Sequence, residues 1–362
     1  MNAETVTVEL SDRSYPIRIG SGILNDPEFL AAQVKGRRCF LVTDSNVYPL
    51  FAEKTVEAVL NAGAAEIGSY TFPAGEESKH LGTILEICRE AARTELDRKS
   101  LILALGGGVT GDMAGFSAAV YMRGIDFLQI PTTLLAMVDS SVGGKTGVDL
   151  PEGKNLVGAF HQPKAVLIDT DFLKTLPRRQ YLCGVAEIVK TAAILDADFF
   201  ALLEANTEQI NRMDPEFTAK MVKRCCELKA SVVAKDEREG SLRAILNYGH
   251  TYGHAIESAS RFTMLHGEAV AIGMRMASEL AVRLGVMRRE DADRQEALIQ
   301  ALGLPGKTKY DPETVFGAMF KDKKVLGGSL RFIFTPEIGK AEIRKVESAE
   351  ARAVLEEPGW DA

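Results

Sequence analysis

The sequence predicts an α/β protein in which an N-terminal domain built on a largely parallel sheet precedes a mainly α-helical domain. Up to residue 169, short apolar runs such as "SLILAL" alternate with amphipathic helical segments, which is the pattern of strands covered on both faces. From about residue 170 to 300 the chain is rich in Ala, Leu and Glu, with helical periodicity. We therefore place a boundary near residues 170–178 and assign the domains to 1–175 and 176–362.

The N-terminal elements follow one another in a regular order. Alternating apolar side chains on either side of "SDRS" predict a β-hairpin over residues 6–19. We expect strands at "RCFLVTD", "AEIGSYTF", "SLILAL", "FLQIP" and "AVLID". We expect helices at "PLFAEKTVEAVLNAG", closed by Gly63, and at "SKHLGTILEICREAARTEL", where apolar residues recur at helical spacing. Near the C-terminus, a short hairpin is predicted at "LRFIFTPEIGKAEIRKV".

Composition excludes several classes of protein. The net charge of −7, from 43 basic and 50 acidic residues, provides no global positive field for nucleic acid or acidic membranes. The sequence shows neither a signal-peptide pattern nor a run of about 18 apolar residues. The five cysteines lack CxxC spacing, and we therefore expect a protein of the reducing cytoplasm.

A glycine-rich turn follows one predicted strand, in "LILALGGGVTGDMAG". Gly106, Gly108 and Gly111 have G-x-G-x-x-G spacing between a strand and a helix, which is the context of the dinucleotide fingerprint in a Rossmann-like domain. There the backbone approaches a pyrophosphate at the helix N-terminus. The alternative is a plain tight turn. The acidic residue about 20 positions on would be Asp126, but Asp44, at the end of an earlier strand, is the better ribose candidate.

A long Gly-rich segment, residues 138–164, lies between two predicted strands. Loops of this length inside a compact domain are usually functional or disordered. The segment carries Asp139, Lys145, Lys154 and Asn155, side chains suited to contact a phosphate or a polyol. The alternative is a solvated excursion with hairpin character at "DLPEGK".

Polar side chains of the C-terminal domain recur at spacings of 4, 4, 3 and 4, which on one α-helix would form a continuous face. Two glycines stand beside the histidines of this face. Because each costs roughly 1 kcal/mol in a helix interior, we expect close backbone approach there. We interpret the face as the wall of an active site rather than a solvated surface. Its residues are Glu239, Arg243, Asn247, His250 and His254, with Gly249 and Gly253.

Candidate metal ligands are few. Glu187 and Lys190 lie three apart in the apolar "CGVAEIVKTAAIL", so they form either a buried ion pair or part of a site. Catalytic zinc commonly takes three protein ligands, and two His with one Glu is a standard set. The candidates are Glu187, His250, His254 and His266, and spacing alone favours His250 with His254.

Several longer motifs are highly specific when taken together. They are "PAGEESK", "GGGVTGDMAGFSAAVYMRG", "PTTLLAMVDSSVGGKTGVDL", "GKNLVGAFHQP", "TLPRRQYLCGVAEIVK", "CCELKASVVAKDEREGSLRAILNYGHTYGHAIE", "LHGEAVAIGM" and "DKK". In these the chain resembles the 3-dehydroquinate synthases, enzymes of the shikimate pathway, over nearly its whole length. The resemblance implies a nucleotide-binding α/β domain, a helical C-terminal domain and an active site in the cleft between them.

The resemblance also implies a role for each matched residue. Zinc or cobalt would be bound by Glu187, His250 and His266, while His254 would face the substrate near its phosphate. NAD would be held by Asp44, Glu76, Lys79, Gly106, Gly107, Gly108, Asp112, Thr132, Thr133 and Lys154, with Thr175 nearby. The substrate would be contacted by Asp139, Lys145, Asn155, Lys190, Lys229, Arg243, Asn247 and His254, and by Lys323 or Lys324. Arg123 would enter the site of a partner subunit, which implies a homodimer.

The implied reaction converts 3-deoxy-D-arabino-heptulosonate 7-phosphate to 3-dehydroquinate and phosphate. The substrate is transiently oxidised by NAD, loses phosphate, is reduced again, and closes its ring by an intramolecular aldol step. Two other interpretations are a cyclase for another sugar phosphate and a metal-dependent polyol dehydrogenase, which would accumulate NADH. Lys229, Arg243 and Asn247 match the pattern expected around the substrate carboxylate. A nucleotide-binding protein without activity is disfavoured, because every expected ligand is present.

Overall fold

The computed structural model describes residues 3–261, 263–320, 329–357 and 360. By its contacts the described chain divides into two compact units. The first comprises Met1–Leu176 and Lys229–Arg238, and the second comprises Pro177–Leu228 and Glu239–Ala362. The assignment of NAD to residues 1–175, and of metal and substrate to 176–362, stays a prediction.

The first unit alternates strands and helices. Its strands are β1 (Glu4–Val8), β2 (Tyr15–Gly20), β3 (Arg38–Asp44), β4 (Glu66–Phe72), β5 (Leu101–Gly106), β6 (Asp126–Pro131), β7 (Lys145–Leu150), β8 (Gly153–Phe160) and β9 (Ala165–Asp169). Its helices are α1 (Pro27–Val34), α2 (Glu53–Asn61), α3 (Leu81–Arg93) and α4 (Gly108–Val120). The predicted N-terminal hairpin, strands and helices are therefore present.

Within the described residues, a seven-stranded sheet forms the centre of this unit, in the order β1-β2-β9-β6-β5-β3-β4. β1 pairs antiparallel with β2, and all the other neighbouring strands are parallel. Strands β3, β5, β6 and β9 are buried along nearly their whole length, which explains their continuous apolar runs. The chain runs outward from β3 to β4 and returns to β5 on the other side of β3. Open α/β sheets bind ligands at such a reversal, beyond the carboxyl ends of the strands.

The Gly-rich segment after β6 is not the long loop that we predicted. A π-helical turn, Ala136–Ser140, is followed by an antiparallel hairpin of β7 and β8. Two of its glycines serve the pairing, because a Cβ at Gly147 or Gly158 would overlap the backbone of the opposite strand. Val148 is fully buried in the same apolar cluster as Met113 of α4. The hairpin is therefore a packed element that carries polar side chains near its tip.

The second unit is mainly helical. Its helices are α5 (Arg178–Leu195), α6 (Ala197–Ala205), α7 (Thr207–Asn211), α8 (Pro215–Lys235), α9 (His250–Ala259), α10 (His266–Arg283), α11 (Arg289–Ala301), α12 (Pro312–Met319) and α13 (Ser348–Leu355), and the end of α8 belongs to the first unit. The predicted late hairpin is confirmed as β10 (Ser329–Phe334) and β11 (Glu342–Glu347). Among the described residues, none of the helices combines the length and apolar character needed to cross a membrane.

The polar residues 239–254 do not form the single helix that we predicted. Glu239 has a left-handed backbone, Leu242–Asn247 form a 3-10 helix, and α9 begins only at His250. Gly249, with φ +77°, separates the two helical segments. A Cβ at Gly249 or Gly253 would press on the backbone of α10. The close approach that these glycines permit is therefore helix packing.

Candidate functional site

The glycine turn lies at the carboxyl edge of the sheet, where the strand order reverses. β5 ends at Gly106 and α4 begins at Gly108, so the unpaired N–H groups at the helix start lie at this edge. A Cβ at Gly106 would overlap Thr110, whose hydroxyl donates to Asp44 Oδ2 at 3.2 Å. Asp44 ends the neighbouring strand β3. The predicted pyrophosphate and ribose residues are therefore brought together.

Other predicted NAD residues follow neighbouring strands at the same edge. The N–H of Thr132, after β6, donates to the carbonyl of Gly106 at 2.9 Å. A Cβ at Gly107 would lie 3.2 Å from Thr133 Cγ2. Thr175 ends a 3-10 segment that follows β9. Strands β9, β6, β5 and β3, which are adjacent in the sheet, thus all deliver candidate residues to one edge.

A second polar cluster surrounds Lys79, which precedes α3 and is 5% exposed. Its ammonium donates to Asn155 Oδ1 at 2.6 Å and lies 2.7 Å from Asp112 Oδ2. Glu76 Oε1 lies 3.9 Å from this ammonium and 3.5 Å from that of Lys154. Burial alone would lower the pKa of Lys79, but Asp112 and Glu76 raise it above its usual value. Burial also raises the pKa of Asp112.

Asp149 ties the tip of the β7–β8 hairpin to this cluster, and sequence reasoning missed it. Its N–H donates to the Lys79 carbonyl at 2.8 Å, and its Oδ1 accepts from the N–H of Asn155 at 2.7 Å. Asn155 itself has a left-handed φ of 54°. An Asp and an Asn that flank "LPEGK" could have indicated a turn closed by a side chain.

Four further predicted residues of the first unit, Asp139, Lys145, Lys229 and Arg123, lie outside the glycine turn. Lys229 donates to the carboxylate of Asp139 and, at 2.7 Å, to its carbonyl. Lys145 begins β7 and is exposed. Arg123 is exposed in a turn just before β6, and its own φ is 68°. Because β6 starts there, Arg123 lies at the amino edge of the sheet, opposite Gly106.

Three predicted metal ligands come together in the second unit. Glu187 Oε1 lies 3.8 Å from His250 Nε2 and 3.5 Å from His266 Nε2. One candidate ligand atom from each residue lies within 4.8 Å of the other two. Glu187 and His250 are buried, and the side chain of His266 is 29% exposed. A His₂Glu set of this kind suits catalytic zinc, which keeps a further position for substrate.

Backbone contacts between helices place these ligands. A Cβ at Gly267 would overlap the backbone of Cys183 on α5, one turn before Glu187. A Cβ at Gly273 would overlap the carbonyl of Gly249, which precedes His250. α10 therefore packs directly against the main chain of both α5 and the start of α9, and ligands distant in sequence meet.

The outward nitrogens of both histidines have partners. His250 Nδ1 lies 2.9 Å from the carbonyl oxygen of Tyr248. Because a carbonyl only accepts, Nδ1 carries the proton and Nε2 offers its lone pair. His266 Nδ1 lies 3.3 Å from Glu257 Oε2, a residue that sequence reasoning missed. Its position seven residues after His250, on the same helix face, could have indicated it. Metal-binding histidines are usually held in this way.

The charges around the cluster fit a divalent cation. Burial holds the pKa of His250 well below its ordinary value, which leaves the ring neutral. Burial also acts to lower the pKa of His266, but hydrogen bonds with Glu187 and Glu257 outweigh it and raise that pKa to about 10. The two carboxylates thus draw a positive charge to this place, and a divalent metal ion supplies such a charge.

His254 lies beside the cluster. Its ring centroid is 5.1 Å from that of His250 and 6.0 Å from that of His266. A second grouping, His254 with Glu257 and His266, also has ligand atoms within 4.8 Å of one another. The two described groupings share His266, and neither joins His250 with His254. The pair of His250 and His254 that spacing alone favours is therefore absent from both groupings.

The remaining predicted residues of this unit are partly engaged with carboxylates. Lys190 donates to Glu187 Oε2 in a buried ion pair. Asn247 Nδ2 donates to Glu239 Oε1 at 2.8 Å. Arg243 is buried, with 2% of its surface exposed. The predicted phosphate contact at Lys323 or Lys324 lies outside the described residues.

Comparison with known families accounts for most of the chain. Residues 69–183 match the family "3-dehydroquinate synthase N-terminal", and residues 184–325 match "3-dehydroquinate synthase C-terminal". A 3-dehydroquinate synthase from Nostoc punctiforme is 46% identical over 358 residues, which cover 97% of this chain and 98% of that protein.

Solved structures of related enzymes share the fold over nearly the whole chain. A 2-deoxy-scyllo-inosose synthase, complexed with carbaglucose-6-phosphate, NAD⁺ and Co²⁺, gives a TM-score of 0.90 at 29% identity, covering 97% of this chain and 99% of that one. The 2-epi-5-epi-valiolone synthase ValA from Streptomyces hygroscopicus subsp. jinggangensis 5008, with NAD⁺ and Zn²⁺ bound, gives 0.87 at 30% identity, covering 96% and 97%. From the family matches and the 46% identity, the chain belongs to the 3-dehydroquinate synthase family.

Proposed function

We propose that this chain converts 3-deoxy-D-arabino-heptulosonate 7-phosphate to 3-dehydroquinate and phosphate, using NAD and a divalent metal. The observation that carries the proposal is the cluster of Glu187, His250 and His266. Both imidazoles direct Nε2 toward Glu187 while Nδ1 is held from behind. Zinc or cobalt suits this donor set.

Glu187, His250 and His266 would hold the metal. When bound, the metal supplies Lewis-acid chemistry at the substrate hydroxyls, and NAD accepts and returns a hydride. Lys190, which is hydrogen-bonded to Glu187, would donate a hydrogen bond to a substrate hydroxyl next to the metal ligands. The burial of Glu187 and Lys190 strengthens each of these charge interactions, because little water screens them.

The anionic groups of the substrate need local positive charge in a chain of net charge −7. We assign Lys229, Arg243 and Asn247 to the substrate carboxylate. Lys229 already binds the carboxylate of Asp139, so its ammonium is placed to bind a carboxylate ligand. We assign His254 to the region of the phosphate, together with a lysine at 323 or 324. Lys145, Asn155 and Asp139 would meet the remaining polar groups.

NAD would bind to the first unit, residues 1–175. Asp44 would accept from the ribose hydroxyls, and the backbone of Gly106–Gly108 would approach the pyrophosphate. The carboxyl edge that collects these residues with Thr132, Thr133 and Thr175 supports this placement. We assign Glu76, Lys79, Asp112 and Lys154 to further contacts with NAD.

A homodimer of the cytoplasm is part of this proposal. Arg123 lies at the amino edge of the sheet, opposite Gly106, and would therefore serve a partner's site rather than its own. Val120 and Met122 beside it are 46% and 42% exposed. Exposed apolar side chains around an arginine are typical of a subunit interface.

The amounts of phosphate and NADH that are formed distinguish the proposed reaction from a polyol dehydrogenase. Purified protein is incubated with the heptulosonate phosphate, zinc and substoichiometric NAD, and both inorganic phosphate and NADH absorbance are followed. We expect phosphate release to exceed the NAD added many times, with no lasting NADH. Lasting NADH without phosphate would instead establish a polyol dehydrogenase.

A second substrate tests the cyclase alternative. Glucose 6-phosphate carries a phosphate but no carboxylate, so the proposal predicts no phosphate release from it. If that sugar phosphate were turned over while the heptulosonate phosphate was inert, the chain would be a cyclase of another specificity. Metal removal with a chelator should abolish phosphate release in the main assay, and added zinc or cobalt should restore it.

A further inference from the structure

We propose that Glu257 is a positioning residue of the metal centre, which fixes the orientation and proton position of His266. The inference rests on the proposed metal ligands Glu187, His250 and His266 and deepens that proposal. Glu257 contributes no atom to the metal in this assignment. It acts through the ring of His266.

The imidazole of His266 stands between two carboxylates. Its Nδ1 lies 3.3 Å from Glu257 Oε2, and its Nε2 lies 3.5 Å from Glu187 Oε1. An ionised carboxylate only accepts hydrogen bonds. A proton on Nδ1 therefore donates a hydrogen bond to Glu257. The lone pair of Nε2 then points toward Glu187 and His250. Rotation of the ring by half a turn would give up this hydrogen bond.

The placement of Glu257 couples two ligands through one helix. Glu257 and His250 both lie on α9, seven residues or two turns apart, and therefore share a face. Helix α9 thus presents one metal ligand directly and holds the other ligand, His266 of α10, by its Nδ1. Glu257 is 6% exposed. A carboxylate is costly to bury, and nearby positive charge on the ring or the metal offsets that cost.

The two histidines differ in what holds them. The partner of His250 is the main-chain carbonyl of Tyr248, which no side-chain substitution removes. The partner of His266 is a side chain, so its contribution can be measured. The grouping of His254, Glu257 and His266 offers the competing explanation that Glu257 is itself a ligand. In that case His254, and not Glu187, would be required for metal binding.

The test measures metal affinity rather than turnover. Metal-depleted wild type, E257Q, E257A, E187Q and H254A are titrated with zinc against a chromophoric chelator, and with Co²⁺ followed by its visible absorption. Loss of such an outer contact typically weakens metal binding by about 10- to 100-fold, and we expect this for E257A with a changed Co²⁺ spectrum. E257Q should recover part of the affinity, since its amide oxygen accepts the same hydrogen bond.

E268A is the matched control. Glu268 lies two residues from His266, caps the N–H of Leu265 at 2.9 Å and pairs with Arg179, so its loss loosens α10 without touching the ring. We expect E268A to lower thermal stability while zinc affinity stays within about threefold. Equal weakening by E257A and E268A, or unchanged affinity in E257A, would overturn the positioning role. Metal binding that survives E187Q and fails in H254A would overturn it in favour of direct ligation.

The two proposals fail in distinguishable ways. If the wild type releases phosphate and binds zinc, and E257A binds zinc with equal affinity, only the role of Glu257 is refuted. Wild type that binds zinc but releases no phosphate refutes the proposed reaction, while the ratio of zinc affinities between variants still decides the role of Glu257.

Discussion

The Lys79 cluster of the first unit and the histidine cluster of the second each place polar groups around buried side chains, but they distribute charge differently. The ammonium of Lys79 lies 2.7 Å from Asp112 and 3.9 Å from Glu76, so this cation and the two carboxylates already offset one another's charge. In the second unit, Glu187 and Glu257 flank His266, whose pKa rises to about 10. Lys79 supplies the positive charge of the first cluster, whereas the carboxylates of Glu187 and Glu257 attract a positive charge to the second.

The difference indicates two modes of ligand binding. A ligand that reaches Lys79 must exchange hydrogen bonds with groups that already have partners, so the net gain for each contact is modest. A cation in the second cluster replaces a proton and completes a set of donors that backbone and carboxylate partners already hold. We therefore expect substitutions in the second cluster to have the larger effects.

Removal of His266 should have the largest effect. H266A deletes a proposed ligand, so we expect zinc to be lost from the purified protein. Phosphate release should fall about a thousandfold or more, equivalent to roughly 4 kcal/mol of transition-state stabilisation. Metal content and phosphate release are measured on the same sample. Retention of stoichiometric zinc would contradict the ligand assignment.

H254A removes the same kind of side chain from a neighbouring histidine that is not assigned as a metal ligand. His254 lies 5.1 Å from His250 between ring centroids but is assigned to the substrate. We expect zinc content to remain at the wild-type level while phosphate release falls about 10- to 100-fold, the range for a lost hydrogen bond to a charged group. Zinc loss equal to that of H266A would instead favour the grouping with Glu257.

G106A perturbs the first unit. The added Cβ would displace Thr110 and its hydrogen bond to Asp44. Such overpacking costs about 1–3 kcal/mol, and we expect NAD affinity, measured by fluorescence titration, to fall about tenfold with zinc content unchanged. G317A is the control, because a Cβ at Gly317 of α12 meets nothing within 4 Å. Equal NAD affinity in G106A and G317A would contradict the assignment.

The pH dependence of stability should be the smallest effect. His266 has a pKa of about 10 in the folded, metal-depleted protein, above its ordinary value of 6.5. Its contribution is therefore complete below pH 6.5 and is lost as pH rises toward 10. Thermal unfolding in chelator should show Tm falling as pH rises over this range, because the stabilising proton on the ring is lost. H266A should flatten that part of the profile.

Sequence patterns predicted the first unit better than the second for a physical reason. The order of strand, glycine turn and helix is local, so Gly106 and Asp44 could be placed from strand ends alone. The proposed metal cluster depends on Glu187, His250 and His266 meeting through tertiary packing, and helical spacing instead favours His254 as the partner of His250. Only the family resemblance named His266 as a ligand.

Predictions were incomplete or wrong where a glycine had two physical explanations. Gly249 and Gly253 predict close backbone approach, and the structure shows that approach to α10, although the sequence does not name this partner. The glycines of residues 138–164 indicated a loop, but Gly147 and Gly158 allow two strands to pair closely. In both cases the sequence shows the glycines but not the backbone segment that they contact, because that segment is distant in sequence or pairs only in the folded chain.

The glycine contacts of α10 have a consequence for how the proposed metal centre can change over time. Gly267 meets the main chain of Cys183, and Gly273 meets that of Gly249. Main-chain atoms do not vary when side chains are exchanged, so the separation of the imidazoles cannot drift by small evolutionary steps. A larger residue at either glycine would force the helices apart at once. Preference for a different ion is therefore accessible in this scaffold through the identity of the ligands rather than through their spacing.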